Sequence, residues 1–155
     1  MKNKNNSYLR LKQYFADLAA EHPKIQGFSG YFSRELHHKT AAADGMPSPY
    51  LALFRYELGL EGGQENTLAV RQLGFAVMLT GVPIDDFEAQ YAAIDQAEQL
   101  ALSVFDRLRR DHHDTGHFLY HSLIKESIRM LPVELSAEAF GVECFFSLKN
   151  PQRFS

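Results

Sequence analysis

In Phe140-Gly141-Val142-Glu143-Cys144-Phe145-Phe146-Ser147-Leu148, Phe140, Val142, Cys144, Phe146 and Leu148 alternate with Gly141, Glu143, Phe145 and Ser147. Period two is the repeat of a β-strand, and the apolar set on one side marks a half-buried strand with a core beneath it. A strand needs partners. Residues 49–60, 68–80 and 127–135 are predicted to supply them, the first two joined through Gly62-Gly63 as a long hairpin with a flexible polar tip at residues 61–66. The predicted class is α+β: an antiparallel sheet with a long hairpin, packed on one face by two main helices.

The first of those helices is expected over residues 8–21. Tyr8, Leu11, Phe15, Leu18 and Ala19 recur at helical spacing, Ser7 is placed to cap the start, and Pro23 marks the end. The second is expected from Asp85, with Glu88 three residues later in a capping-box arrangement. Its apolar stripe reads Phe87, Tyr91, Ile94, Ala97, Ala101, Val104 and Leu108. Residues 111–116 break the pattern, and 118–125 read as a short helix or connector. Between the first helix and the hairpin, the aromatic segment from Ile25 is expected to hold a short strand. Residues 37–48, rich in turn formers, read as an exposed loop.

In residues 50–60, Tyr50, Ala52, Phe54, Tyr56, Leu58 and Leu60 are expected on one face, with Leu51, Leu53, Arg55 and Glu57 on the other. Residues 73–79 look covered on both sides, as in a central strand. Pro132 suits an edge or a bend.

The chain has 155 residues, 45% hydrophobic and 23% charged, which is the balance of a globular protein. It is read as a single domain over 1–155, with 1–6 a flexible N-terminus and 151–155 a tail. A net charge of −3 gives no basic surface for direct nucleic-acid reading. Arg107, Arg109 and Arg110 form the one dense basic group, read as a solvated helix end. No apolar run nears the ~20 residues that cross a bilayer, and no apolar segment of a secretion signal follows the polar start. Membrane partners are therefore not expected, and the chain should stay where it is made. Cys144 is alone, so no intrachain disulfide forms; it reads as a small buried hydrophobe.

Chemistry-bearing residues gather in Asp111-His112-His113-Asp114-Thr115-Gly116-His117-Phe118-Leu119-Tyr120-His121. His113, His117 and His121 are four apart, and on a continuous helix they would share a face able to ligate zinc. Gly116 weakens that geometry, and the glutamate of His-Glu-x-x-His is missing, so no general base for a metal-bound water is built in. The segment then reads as ordinary surface histidines at a helix end, with a small metal-binding protein or metal-dependent enzyme as the alternative. The pair His37-His38 reads as solvated. Ser29 lacks the Gly-x-Ser-x-Gly spacing of a nucleophile turn. Residues 59–63 lack both a dinucleotide fingerprint and a phosphate-loop lysine, and Asp85, Asp86 and Glu88 are explained as a helix cap. No catalytic residue, cofactor or metal is assigned.

The order of elements resembles the small tail-terminator and tail-completion proteins of bacteriophages and related phage-like particles. The matching features are the helix over residues 8–21, the hairpin through Gly62-Gly63, the capped helix from Asp85, and Gly141-Val142-Glu143-Cys144-Phe145-Phe146-Ser147-Leu148 followed by Asn150-Pro151. The resemblance implies a non-enzymatic structural subunit that self-associates, commonly as a ring of six. It further implies tail-tube and neck or head-completion proteins as partners, and a place on the virion tail after assembly in the bacterial cytoplasm. Residues 37–48 and the hairpin tip are then expected to contribute to interfaces.

Overall fold

Two helices lie across one face of a five-stranded sheet whose strands run in the order β1-β2-β3-β5-β4. The computed structural model describes residues 6–42, 45–136 and 138–151. The expectations for residues 1–5 and 152–155 lie outside them. The elements are α1 (Tyr8–Glu21), β1 (Gly27–Ser29), α2 (Ser33–Ala41), β2 (Tyr50–Glu61), β3 (Leu68–Leu79), α3 (Phe87–His113), β4 (Leu123–Ser136) and β5 (Ala139–Pro151).

The alternation in β5 is realised as read: Phe140, Val142, Cys144, Phe146 and Leu148 are all buried. β5 pairs antiparallel with β3 along its whole length, from Leu68↔Pro151 to Leu79↔Phe140, so both strands are central. The long hairpin is therefore held in the sheet along its β3 arm. At the core's centre, Phe15 of α1, Phe75 of β3, Phe105 of α3 and Phe146 of β5 stand with ring centroids 5.4–6.0 Å apart. Such tilted and edge-on contacts add to the area these rings bury.

The sheet is mixed, which corrects the expectation of a purely antiparallel one. β1 pairs parallel with β2, Gly27↔Tyr50 through Ser29↔Ala52. Parallel neighbours cannot be joined by a tight hairpin, and α2 supplies the crossover. This helix takes up residues 37–41 of the loop expected over residues 37–48. It buries no residue of its own. Instead, the Glu35 carboxylate accepts from the Gly30 N–H and, at 3.1 Å, from Ser29 Oγ, while Lys39 Nζ donates to the Phe28 carbonyl at 2.7 Å.

A second correction lies in β2. The register shifts between Leu53↔Phe75 and Arg55↔Gly74, a β-bulge that returns Tyr56 to the helix-covered face opposite Leu73. The unbroken alternation from Tyr50 to Leu60 therefore fails, and Leu51, Leu53 and Tyr56 share the main core. The bulge sits opposite Gly74, where a Cβ would meet the Phe54 ring at 2.8 Å. A side chain at position 74 would have to displace that ring.

Ser7 caps α1 as expected, its Oγ accepting from Arg10 N at 3.1 Å. α3 begins one residue later than read, because Asp86 is the cap, accepting from Ala89 N at 3.0 Å. The helix also runs through residues 111–113, expected to break it. Its buried stripe is Ala93, Ala97, Leu100, Ala101, Val104, Phe105, Leu108 and Asp111, while Phe87 and Tyr91 point outward. β4 starts at Leu123, earlier than the expected 127, and is an edge strand, which accounts for Pro132. Among the described residues no helix is long and apolar enough to cross a membrane.

Candidate functional site

Among the described residues, side chains capable of chemistry or recognition gather at the last turn of α3 with the connection to β4, and on the face of the sheet that α1 and α3 leave open.

The first is organised by Asp111. Its position continues the buried stripe three residues beyond Leu108, so a carboxylate enters the core edge with only 8% of its side chain exposed. Burying a charge requires partners. Tyr14 Oη donates to Asp111 Oδ2 at 2.5 Å, and Arg107 Nε lies 3.4 Å from the same oxygen. Arg110 Nε lies 3.8 Å from Oδ1, and His117 Nε2 3.7 Å from Oδ2. Arg107 also reaches Glu21 at 2.8 Å, so it ties α3 to α1 and is not the solvated residue expected of it. Burial, reinforced by the bond to Asp111, pushes the Tyr14 phenol far above its ordinary range.

The histidines of this region divide into two groups. His117 stacks on Phe118, and its Nδ1 accepts from Leu119 N at 3.0 Å, which leaves the neutral ring's proton on the nitrogen facing Asp111. On the other side His112 accepts from Leu123 N through Nδ1 at 3.1 Å, and its ring lies 4.9 Å from His113 and 5.5 Å from His121. Burial, followed by the neighbouring His113 and His121, holds the His112 imidazole below its ordinary value. His113, His117 and His121 are thus not brought to a shared face. The helix they would need ends at His113, with Asp114 extended, and His121 adopts φ 58°. Among the described residues no group of three or more His, Cys, Asp or Glu is disposed to hold a metal ion.

The other sequence candidates have structural occupations. Ser29 is buried and bonded to Glu35. His37 and His38 lie exposed on α2. Gly62 turns the hairpin at φ 92°. Asp86 caps α3, with Asp85 and Glu88 exposed beside it. Burial, aided by Glu143, pushes the Cys144 thiol up to about 12, which leaves it without thiolate reactivity near neutrality. Arg71 is a further buried cation, 4% exposed, that gave no signal in the sequence. Its Nε donates to Tyr56 Oη at 2.9 Å and its Nη2 to the Asn6 carbonyl at 2.7 Å. Asn6 is itself buried and donates to Asn150 at 2.6 Å, so it is not part of a free end.

The second region is apolar. On the open face Phe54 meets Phe145 edge-on at 5.4 Å, and Arg55 lies over Phe145 while donating to Gln72 at 2.7 Å. Leu131 and Leu135 of β4 and Phe32 before α2 are exposed around them. Between α2 and β4 this face sinks into a groove of about 170 Å³, floored by Ala52, Ala76 and Met78 and walled by Leu36 and Leu135, with Glu143 as its carboxylate. Sequence reading missed the groove because α2 was not foreseen.

No family model, curated protein or solved structure matches the chain.

Proposed function

We propose that this chain is a non-enzymatic structural subunit that works by docking beside copies of itself. Its setting is the tail of a phage or phage-like particle, as a ring-forming terminator or completion protein, with six copies in the ring and tail-tube and neck proteins as neighbours. The observation that carries the assembly reading is the open face of the sheet. Helices α1 and α3 cover one side, while the other presents Phe54, Leu131 and Leu135 to solvent beside an apolar groove. Contiguous apolar surface of this kind marks an interaction site more often than a monomer's finished exterior. The tail setting is supported by the order of elements: an opening helix, a hairpin, a capped helix and a closing strand.

Light scattering on the purified protein, alone and with tail-tube protein, tests both levels. A mass that rises with concentration to a fixed multiple of the chain is expected, as is co-migration with the tube protein. One-copy mass at every concentration, with and without the tube protein, contradicts the reading.

A further inference from the structure

From the placement of two surfaces we infer that the groove on the open face receives the Phe87 and Tyr91 side chains of a second copy, in a head-to-tail contact. The inference rests on the assembly reading above and names its contact. Phe87 and Tyr91 are one turn apart on α3 and form one projection, 69% and 66% exposed. They stand on the outward side of the first turns of α3, whose inward side packs Ala89 and Ala93 against Val82 and Phe140. Large aromatic side chains left this free are expensive for a monomer and are typical anchors of interfaces.

The groove matches them in size and chemistry. Its volume is about 170 Å³, and an apolar cavity of about 150 Å³ takes one benzene ring. There is thus space for one aromatic side chain to anchor. Among the residues lining it, Glu143 is the one carboxylate and is half-buried. A tyrosine entering between Leu36 and Leu135 brings an O–H donor to that acceptor, and Phe87 then lies at the rim against Phe54. An intramolecular arrangement is closed off, because α3 rides on one face of the sheet and the groove opens on the other. Two different surfaces meeting make a heterologous contact, which builds rings where the rotation closes. Two aromatics supply roughly 300–500 Å², short of the ~800 Å² per partner usual for a stable pair. A single contact is therefore weak, and repetition around a closed assembly is what holds it.

Sedimentation velocity on three proteins tests this: wild type, the double variant Phe87→Ala/Tyr91→Ala, and Leu135→Arg, which blocks the groove. Leu135→Ser replaces the last if it fails to fold by circular dichroism. Wild type is expected to self-associate, and each variant alone to do so at least about tenfold more weakly. An equimolar mixture of the two variants is expected to form a weak heterodimer, seen only at the highest concentrations, and nothing larger, since one intact projection meets one intact groove. Unchanged assembly of Phe87→Ala/Tyr91→Ala or of the groove variant, or a mixture that assembles beyond the heterodimer, overturns this contact and leaves the assembly reading standing. Wild type that is monomeric throughout overturns both.

Discussion

Tyr14 Oη and Asp111 Oδ2 lie 2.5 Å apart across 97 positions of sequence, and this bond fastens the first helix to the end of the third. The carboxylate is buried, so removing its O–H donor leaves a charge poorly satisfied where water does not reach. Tyr14→Phe keeps the ring and its packing and is expected to lower stability by roughly 1.5–3 kcal/mol, read as a shift in the urea midpoint without a change in slope. A change within error means that Asp111 is satisfied by its arginines alone.

The same phenol sets an alkaline limit. Its folded value is raised above the ordinary 10.0, as are those of Tyr31 and Tyr50, in each case first by burial. For a raised group the stabilisation is complete below the unfolded value and is lost as pH climbs past it, because the unfolded chain releases the proton first. Stability should therefore fall from about pH 10 upward, less steeply in Tyr14→Phe. Parallel slopes for the two proteins would contradict the placement of Tyr14.

His112 sets the acid side. Its folded value lies below 6.5, so the contribution is present above that pH and is lost as pH falls through the folded value, where the unfolded chain binds the proton more readily. Protonation of Nδ1 also removes the acceptor for Leu123 N, where β4 begins. The melting temperature should drop between pH 7 and 5, and His112→Asn, which keeps an acceptor without titrating, should flatten that part of the profile. An equally steep profile in the variant would assign the acid loss elsewhere.

Gly141 is the least replaceable position in the sheet. A Cβ there would stand 1.9 Å from the Val77 carbonyl oxygen, which is backbone and cannot turn aside, whereas at Gly74 it meets chiefly the movable Phe54 ring. Gly141→Ala is expected to cost more than ~4 kcal/mol or prevent folding, and Gly74→Ala about 1–3 kcal/mol. Equal losses in denaturant unfolding would refute this ordering.

Stoichiometric Zn²⁺ should leave the melting temperature of untagged protein unchanged, because His117 turns to Asp111 while His113 and His121 flank His112. A rise of several degrees, abolished in His113→Ala/His117→Ala, would establish the metal-binding alternative, since a ligand of the native state stabilises by mass action.

What could be read from the chain and what could not follows from where the forces act. Residues 140–148 declare their strand because one face is buried along its full length, and Ser7 with Pro23 brackets α1 through contacts within a few residues. The bulge at Phe54–Arg55 depends on a glycine in another strand, and α2 is held by Ser29, Gly30 and Phe28, not by an apolar stripe of its own. Neither leaves a periodic trace. Asp111 did leave one: it keeps the three-residue step after Leu108, but its charge suggested a helix end. The division of the histidines was foreshadowed by Gly116, whereas the groove required the position of α2.

Hydroxyl-radical footprinting of the open face, in dilute and in concentrated protein, tests most directly the claim that this surface exists to be covered. Phe54, Phe32 and Leu135 should oxidise freely when dilute and become protected as the protein assembles, with Leu9, exposed on the opposite helix layer, as the unprotected reference. Oxidation of those three residues at the same rate in both states would contradict the account.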